Sequence, residues 1–382
     1  MLNDAIRLRL ISDVPLGAFL SGGIDSSIIC GLASRHTQHL KTFSIGYEED
    51  DFFDETNYAK LVAKHFNTEH TIFSLKRNDL YECLFDVLNY FDEPFGDSSA
   101  LPVYYLSKQT RKHVKVALSG DGADELFGGY MKHLAEFKAQ NAQVTEKLVS
   151  VLSPLWRLIP KSRNRRWSNR VRQLERFGEG LKMNNEDRYW RWCSIADSEQ
   201  ADQMLLVKHD EKEFSERKKK LTSSIVKNGL NAVMLNDVQL VLPNDMLMKV
   251  DSMSMSNSLE VRSPFLDHRI VEFAFSIPDG FKVDHSHRKK IVHDAFKDFL
   301  PHELYHRPKR GFEIPLHSFL TKELQSTLED YTSNSFLQDQ KIFDPSEVNK
   351  LKRQLTSSNP VESAARMWGL LVFQHWWKHW MM

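Results

Sequence analysis

Two short segments of the sequence combine glycines, hydroxyl groups and acids in a pattern suited to binding phosphate and a metal ion. The first is SGGIDSS, residues 21–27. Its glycines allow close backbone approach to a ligand, and its serines supply hydroxyl donors. The second is SGDGADE, residues 119–125, which contains Asp121, Asp124 and Glu125. A carboxylate beside polyphosphate requires a cation between them, and Mg²⁺ is the usual one. The two segments therefore predict a nucleotide site with a bound magnesium ion.

Each segment follows a short apolar run that is typical of a buried parallel strand. Residues 16–20 form the first run, and residues 114–120 contain the second. The first segment also opens a helix, whose N-terminal N–H groups and dipole favour an anion above the turn. This is a phosphate cradle of a kind different from the Walker loop, which has a lysine where this segment has an acid, Asp25, at its centre.

The acids also have a purely structural interpretation. Asp25 could stabilise the start of a helix, and the acids of the second segment could cap a helix and satisfy glycine-turn amides. One such occurrence by chance is common, whereas two in one small domain are rare. The carboxyl ends of neighbouring parallel strands also converge on one crevice. The sequence therefore favours one shared site, in which Asp25 and Asp124 hold Mg²⁺ and Asp121 lies nearer to the reacting atoms.

The first third of the chain alternates strands and helices. After the opening strand and helix, the pattern predicts a strand over Lys41–Tyr47, a helix over residues 54–66 and a strand over Glu69–Leu75. Two helical stretches precede the strand within residues 114–120. This alternation predicts an α/β fold with a doubly wound parallel sheet. Beyond about Tyr130 the sequence shows few strand patterns, and helices separated by prolines are expected. The predicted domains are a nucleotide-binding α/β core over residues 1–135 and a mostly helical region over residues 136–382.

The composition excludes several classes of function. The chain has 382 residues, with 51 basic and 51 acidic side chains, so neither nucleic acid nor an acidic membrane is expected as a partner. Its three cysteines are far apart and suit a reducing cytosol rather than a disulfide frame or a metal site. No signal peptide precedes the first strand and no apolar run is long enough to span a bilayer. A soluble cytoplasmic protein is therefore expected.

Three further stretches receive ordinary structural interpretations. The basic run over residues 156–176 is interpreted as a solvated helical face or loop, because the overall charge is balanced. The methionine-rich run over residues 246–256 is expected to be a helix packed in a core. Residues 373–380 are expected to form an amphipathic terminal helix.

Four motifs carry a resemblance to a known family. LSGGIDSS, residues 20–27, resembles the PP-loop of ATP pyrophosphatases, which cleave ATP to AMP and pyrophosphate. With LSGDGADELFGGY (118–130), KVDSMSMSNSLEVRSPFLDHR (249–269) and RPKRGFEIP (307–315), it is similar to the synthetase domain of glutamine-hydrolysing asparagine synthetases. The resemblance extends from near Asp4 to the C-terminus. The first motif is shared by many PP-loop enzymes, whereas the second and third together are far more specific.

The resemblance implies a role for each matching residue. The implied ATP-binding positions are Leu20, Ser21, Gly22, Gly23, Asp25, Ser26, Ser27, Ile45, Ser119 and Gly120. The implied Mg²⁺ ligands are Asp25 and Asp124. Asp121 matches a position where some members have glutamate, proposed as the base that acts on the attacking ammonia, and it is one methylene shorter. Lys289 matches a lysine that stabilises charge on the phosphates, and Lys290 is close enough in register to be confused with it.

The implied function is that of an ATP-dependent amide-forming ligase. A carboxylate and ATP would give an acyl-adenylate and pyrophosphate, and ammonia would then give the amide and AMP. The favoured substrate is the aspartate side chain, and the alternatives are a sugar acid, a peptide or a β-lactam precursor. An alternative of another class is a non-catalytic docking subunit for a glutaminase. The intact glycines, Asp25 and Asp124 argue against that subunit, because a decayed site should have lost some of them.

The family's glutaminase domain, with its N-terminal cysteine, has no match in this sequence. Residue 2 is Leu2, and the PP-loop begins at Ser21. Two expectations follow: either the chain is one domain of a longer protein, or it is a stand-alone synthetase fed by free ammonia or by a partner. A glutaminase domain or subunit, and a second copy of the chain, are the partners left open.

Overall fold

The computed structural model describes residues 1–48, 54–151, 166–227, 229–306 and 314–382. Contacts divide the chain into two compact units that alternate along the sequence. The first unit consists of Met1–Phe91, Asp97–Leu134 and Asp237–Pro315, and the second of Asp92–Gly96, Ala135–Asn236 and Leu316–Met382. The domain boundary near residue 135 stays a prediction.

The first unit is built on a five-stranded sheet in which all strands are parallel. Its strands are β1 (Leu16–Phe19), β2 (Lys41–Tyr47), β3 (Glu69–Leu75), β4 (Val116–Leu118) and β5 (Glu260–Arg262). Their order is β3-β2-β1-β4-β5. In the central register, Gly17 pairs with Lys41 on one side and with Ala117 on the other. The predicted fold class, an α/β protein with a parallel sheet and a largely helical C-terminal part, is confirmed.

The position of β1 between β2 and β4 decides where a ligand can bind. Strand order reverses at β1, because the chain proceeds outward through β2 and β3 before it returns to β4 on the other side. In doubly wound sheets this switch point opens a crevice at the carboxyl ends of the strands. The ends of β1 and β4, which precede the two predicted segments, are therefore neighbours at the crevice.

The fifth strand was not predicted from the sequence. Glu260–Arg262 is only three residues long and carries two charged side chains on an edge of the sheet. The Arg262 guanidinium donates to the carbonyl oxygens of Arg9 at 2.7 Å and Ile11 at 2.8 Å. These hydrogen bonds hold a short polar strand at the edge of the sheet. Such a strand has no hydrophobic periodicity by which the sequence could predict it.

The helices of the first unit flank the sheet. The α-helices that lie wholly within it are Leu2–Arg9, Ile24–Ala33, Thr56–His65, Arg77–Tyr90, Ala100–Thr110, Ala123–Phe127, Met248–Met255, His268–Ser276, Asp279–Lys282 and Lys290–Phe296. A π-helical turn, Leu242–Leu247, precedes Met248–Met255, and the 3₁₀ turns are Pro264–Leu266 and His302–Tyr305. The helices Met131–Gln140 and Leu230–Gln239 contain residues of both units.

The second unit contains helices and, among its described residues, no strand. Its α-helices are Val144–Val151, Arg166–Gly180, Asn185–Cys193, Ser198–Met204, Glu211–Leu221, Leu316–Thr321, Gln325–Tyr331, Asn334–Gln340, Pro345–Leu355 and Ser363–Trp380, with a 3₁₀ turn at Ser223–Lys227. The last helix includes the predicted terminal helix. None of the helices in the described part of the chain is long and apolar enough to cross a lipid bilayer.

The core of the first unit packs around β1 and the helix that follows it. Ala18, Ile28, Ile29 and Leu118 are fully buried. Cys30 is also fully buried, as expected for a small apolar residue, and burial raises the pKa of its thiol. Burial of these side chains anchors the helix Ile24–Ala33, whose first turn carries Asp25.

Gly31 provides a test of this packing. A Cβ at Gly31 would lie 2.4 Å from Cζ of Phe66, whose ring also packs on Phe299. Alanine gains about 1 kcal/mol of helix propensity, but overpacking costs about 1–3 kcal/mol. We expect Gly31→Ala to lower the free energy of unfolding by roughly 1 kcal/mol in denaturant titrations. Gly280→Ala is the matched control, because its Cβ would meet no described atom within 4 Å. A Gly31→Ala protein as stable as the control would contradict the packing.

Candidate functional site

The loop after β1 is held in shape by its own residues. Gly22 has φ +74°, in the left-handed region that favours glycine, and a Cβ there would lie 2.7 Å from Cβ of Tyr58. Ser21 Oγ accepts a hydrogen bond from the N–H of Gly23 at 3.2 Å, and Ser26 Oγ donates to the Gly23 carbonyl at 3.2 Å. Hydrogen bonds within the loop therefore help to fix its path to the start of the next helix.

The loop after β4 lies against the loop after β1. A Cβ on Gly120 would lie 3.1 Å from both Cβ of Asp25 and the backbone nitrogen of Ser26. Gly122 has φ +90°, and a Cβ on it would lie 2.3 Å from the side chain of Leu266. Both glycines therefore permit a close approach that a larger residue would block. The structure brings the two predicted segments together.

Lys289 lies between the two predicted metal ligands. Its Nζ is 2.6 Å from Oδ2 of Asp25 and 2.8 Å from Oδ1 of Asp124. Only 5% of the Lys289 side chain is exposed. Burial alone would lower the pKa of Lys289, but the charges of Asp124 and Asp25 raise it overall. Lys290, by contrast, is exposed and pairs with Asp294. Of the two candidate lysines, Lys289 is the one beside the acids.

The backbone makes room for this ion pair. A Cβ on Gly129 would lie 1.7 Å from Oδ1 of Asp124 and 2.2 Å from Cε of Lys289, so a larger residue there would displace the two paired side chains. Lys289 itself has φ +52°, an uncommon conformation for a residue with a side chain. Arg288 donates to the Gly129 carbonyl at 2.7 Å. Local geometry thus fixes Lys289 relative to the loop that carries Asp124.

Asp121 has a different environment from the two paired acids. Its Oδ2 accepts a hydrogen bond from Ser119 Oγ at 2.6 Å, and that hydroxyl lies 3.1 Å from Ser263 Oγ. Burial raises the pKa of Asp121 above its usual value, while the Ser119 hydrogen bond opposes the rise. A carboxylate with a raised pKa is a stronger proton acceptor than an exposed one.

The other predicted nucleotide positions line the same end of the sheet. Leu20 follows β1 and Ile45 lies in β2, and both side chains are buried. Ser27 is fully buried, and its hydroxyl has no hydrogen-bond partner among the described residues. In the fourth motif, residues 307–313 lie outside the described residues, and Ile314 is buried.

Sequence reasoning missed two pairs of buried polar residues in the first unit. Tyr130 donates its hydroxyl hydrogen to Oε1 of Glu125 at 2.6 Å, and burial raises the pKa of Glu125 to about 7. The sequence signal for this pair is the tyrosine that ends the second motif. Lys249 forms a buried ion pair with Asp97, at 2.6 Å between Nζ and Oδ2. These two residues are 152 positions apart in sequence, so no local pattern could have joined them.

The donor set fits Mg²⁺ that is mostly coordinated by a nucleotide and water. Among the described residues, no group of three or more His, Cys, Asp or Glu side chains could hold a metal ion alone. Asp25 and Asp124 supply two carboxylates, and Oδ1 of Asp25 is buried with no hydrogen-bond partner in the described chain. Mg²⁺ commonly takes one or two carboxylates plus substrate phosphates. The predicted pair is therefore chemically suitable.

Comparisons with known proteins agree with the motifs. The family described as asparagine synthase matches residues 1–378. Asparagine synthetase [glutamine-hydrolyzing] 1 of Bacillus subtilis strain 168 is 30% identical over 381 residues, covering 98% of this chain and 57% of that protein. Asparagine synthetase [glutamine-hydrolyzing] 3 of the same organism is 27% identical over 350 residues, covering 87% of this chain and 50% of that protein.

The chain spans about half the length of the curated relatives that it matches. The family match nevertheless extends over nearly all of the present sequence, and the family predicted from the motifs is confirmed. The chain therefore belongs to the asparagine synthase family.

Proposed function

We propose that this chain is an ATP-dependent amide-forming ligase that adenylates a carboxylate and then transfers ammonia to it. The favoured acid is the side chain of aspartate, and the product is then asparagine. The observation that carries the proposal is the buried Lys289, paired with Asp25 and Asp124 beside the phosphate-type loop. Family membership supports the same chemistry.

In the first half-reaction, a carboxylate oxygen attacks the α-phosphorus of ATP and pyrophosphate leaves. Ser21, Ser26 and the backbone N–H groups of the loop would hold the phosphates, and the Lys289 ammonium group would stabilise the charge of the departing pyrophosphate. Asp25 and Asp124 would hold Mg²⁺, which supplies further positive charge when bound. The buried position of Lys289 strengthens its electrostatic effect, because water screens it little.

In the second half-reaction, ammonia attacks the carbonyl carbon of the acyl-adenylate. The new C–N bond forms, the nitrogen gives up a proton, and the bond to AMP breaks with AMP as leaving group. Asp121 would accept that proton, since its carboxyl group lies in the loop after β4 that leads to Asp124 and has a raised pKa. Different carboxylate side chains would thus act in the two half-reactions: Asp25 and Asp124 in the first, and Asp121 in the second.

The test of the proposal is an assay of the purified chain with ATP, Mg²⁺, ammonium chloride and a panel of acids. We expect pyrophosphate, AMP and amide in equal amounts with the true acid, and aspartate is the first candidate. Ammonium should serve as nitrogen donor and glutamine should not. Absence of pyrophosphate with every acid would favour the docking-subunit alternative instead.

Asp25 and Asp124 are expected to act on one ion. Replacing either with Asn should cost at least about 2 kcal/mol of transition-state stabilisation in ATP–pyrophosphate exchange. Because both serve the same ion, the double variant should lose far less than the sum of the two single losses. Circular dichroism and thermal melting provide the check on folding. Exchange near the wild-type rate in Asp25→Asn would defeat the assignment.

The two neighbouring lysines form a matched pair of variants. Lys289→Met should lower the exchange rate by roughly 10²–10³-fold, the range for loss of one preorganised charge-stabilising donor. Lys290→Met removes an exposed lysine that pairs with Asp294, so exchange should be unchanged. Equal losses in the two variants would show that Lys289 has no special role.

Asp121→Asn should separate the half-reactions. If Asp121 accepts the proton of ammonia, the variant keeps ATP–pyrophosphate exchange but loses amide formation by roughly 10²–10⁴-fold. Asn also caps helices well, so a residue that only caps would leave both steps nearly unchanged. A parallel loss of both steps would instead assign Asp121 to the nucleotide or the metal.

A further inference from the structure

The Asp121 side chain is held by hydrogen bonds that extend beyond the loop after β4. Oδ2 of Asp121 accepts a hydrogen bond from Ser119 Oγ at 2.6 Å, and Ser119 Oγ lies 3.1 Å from Oγ of Ser263. The N–H of Asp121 makes a longer contact with Ser119 Oγ, at 3.4 Å. Ser263 follows β5 and has no part in the proposed chemistry so far. Two serine hydroxyl groups therefore connect the Asp121 carboxyl group to the end of the edge strand.

The sheet places the two serines side by side. The last register pair between β4 and β5 is Leu118 with Arg262. Ser119 and Ser263 are the next residues along the two strands. The N–H of Ser119 donates to the Arg262 carbonyl oxygen at 2.9 Å, which holds the ends of the strands together. The contact between the serines therefore follows from the parallel pairing of β4 with β5.

The Ser263 hydroxyl group does not cap the turn that it precedes. Ser263 is the N-cap residue of the 3₁₀ turn Pro264–Leu266, a position where a serine side chain commonly accepts a hydrogen bond from the backbone. Its side chain makes no such bond here, and the N–H of Leu266 donates to the Ser263 carbonyl oxygen instead, at 3.1 Å. Among the described residues, the Ser263 hydroxyl group contacts the Ser119 hydroxyl group and no other side chain. Capping therefore does not account for this hydroxyl group.

The lengths of the contacts indicate which group donates in each. A hydroxyl group that donates to an ionised carboxylate lies about 2.5–2.7 Å from it, and the Ser119–Asp121 distance of 2.6 Å is in that range. An ionised carboxylate can only accept, so Ser119 gives its single hydrogen to Oδ2 of Asp121. Ser119 then has no hydrogen left for Ser263, and the second contact must be a donation from Ser263 to Ser119. The hydrogen bonds therefore all point from Ser263 through Ser119 to Asp121.

The two oxygens of the Asp121 carboxylate have different surroundings. Oδ2 accepts the short bond from Ser119, whereas Oδ1 accepts no hydrogen bond from any described residue. Asp121 is half-buried, so its side chain is not fully enclosed. A lone pair that already accepts a hydrogen bond is not available to a new proton. Oδ1 is therefore the oxygen that can accept a proton from a substrate.

We infer that Ser263 is a positioning residue for Asp121: by donating to Ser119, it directs the Ser119 hydrogen to Oδ2 and leaves Oδ1 to accept the proton of ammonia. The inference rests on the proposed function, because it assumes that Asp121 is the base of the second half-reaction. The nitrogen lone pair forms the C–N bond, the proton moves from nitrogen to Oδ1, and the N–H electron pair stays on nitrogen. Hydrogen bonds in a chain strengthen one another, so loss of the first weakens the second.

The first test compares two substitutions of Ser263. Ser263→Ala removes the donor, and amide formation should fall roughly fivefold, the range for loss of one hydrogen bond between neutral groups. Ser263→Thr keeps a hydroxyl group and should restore most of the rate. ATP–pyrophosphate exchange should be unchanged in both variants, because the first half-reaction does not use the Asp121 carboxylate. Ser256→Ala is the control, because its hydroxyl group donates only to the nearby Met253 carbonyl oxygen, at 2.9 Å, and both half-reactions should be preserved.

A double-substitution cycle tests whether Ser263 acts through Ser119. Ser119→Ala removes the hydroxyl group that donates to the carboxylate and should lower amide formation roughly 10–100-fold. In that background, Ser263→Ala should change the rate by less than about twofold, because the group on which it acts is gone. Ser119 is also a predicted nucleotide position, so the amide rate of each variant is divided by its exchange rate.

Three outcomes of these assays would overturn the inference. The first is an unchanged amide rate in Ser263→Ala. The second is an equal loss of both half-reactions in that variant, which is the result expected of a contact that only stabilises the fold. The third is a pair of losses in the cycle that multiply, because Ser263 would then act independently of Ser119.

A further measurement does not require activity. Neutron diffraction from crystals of the deuterated protein, grown at a pH at which Asp121 is ionised, shows where each hydroxyl deuterium lies. We expect the Ser263 deuterium between the two serine oxygens and the Ser119 deuterium directed at Oδ2 of Asp121. A Ser119 deuterium directed at Ser263 would refute the inference even in an active enzyme. Wild-type protein that releases no pyrophosphate with any acid would refute the proposed function, and the neutron map would still decide the direction of the hydrogen bonds.

Discussion

The candidate site depends on one buried ion pair, in which the Lys289 ammonium group lies between the carboxylates of Asp25 and Asp124. Removing such charges from water costs several kcal/mol per ion, so all three must meet in good geometry. They come from three distant parts of the sequence. The ends of β1 and β4 must therefore lie side by side, and Gly120 and Gly129 allow it because neither has a side chain to obstruct the approach. The ion pair therefore depends both on the order of the strands and on the two loop glycines.

The conformation of Lys289 is consistent with that constraint. Its backbone is left-handed at the start of the helix Lys290–Phe296, which costs about 1–2 kcal/mol for a residue with a side chain. Such strain persists where surrounding contacts over-determine the conformation, and it is concentrated at functional sites. Here the surrounding contacts are the two carboxylates and the backbone around Gly129. The strained residue and the buried charge are the same residue, which favours a role at the site over a role in helix capping.

Much of this arrangement followed from the sequence because it depends on local patterns. The bounds of β2 and β3 agree with the predicted strands, and the family suggested by the motifs is confirmed. The edge strand β5 and the pairing of Lys249 with Asp97 did not follow. The strand is too short to show a period, and the pair joins residues far apart in the chain. The motif match alone could not decide whether Lys289 or Lys290 lies at the site. The choice depends on the left-handed backbone of Lys289, which sequence patterns do not encode. The roles of the site residues stay predictions.

The four acids around the β4 loop show how one functional group can serve different chemical steps. Asp25 and Asp124 both pair with the Lys289 ammonium group, and their carboxylates are the type of oxygen ligand that Mg²⁺ takes. Asp121 instead accepts a hydrogen bond from a serine, and burial raises its pKa. Glu125 accepts one from a tyrosine, and its pKa is raised to about 7. Carboxyl groups whose environments separate their proton affinities can divide acid–base work and cation binding between them. In the proposed function, the substrate carboxylate is activated at the phosphate-binding side of the crevice, and Asp121 accepts a proton in the same crevice.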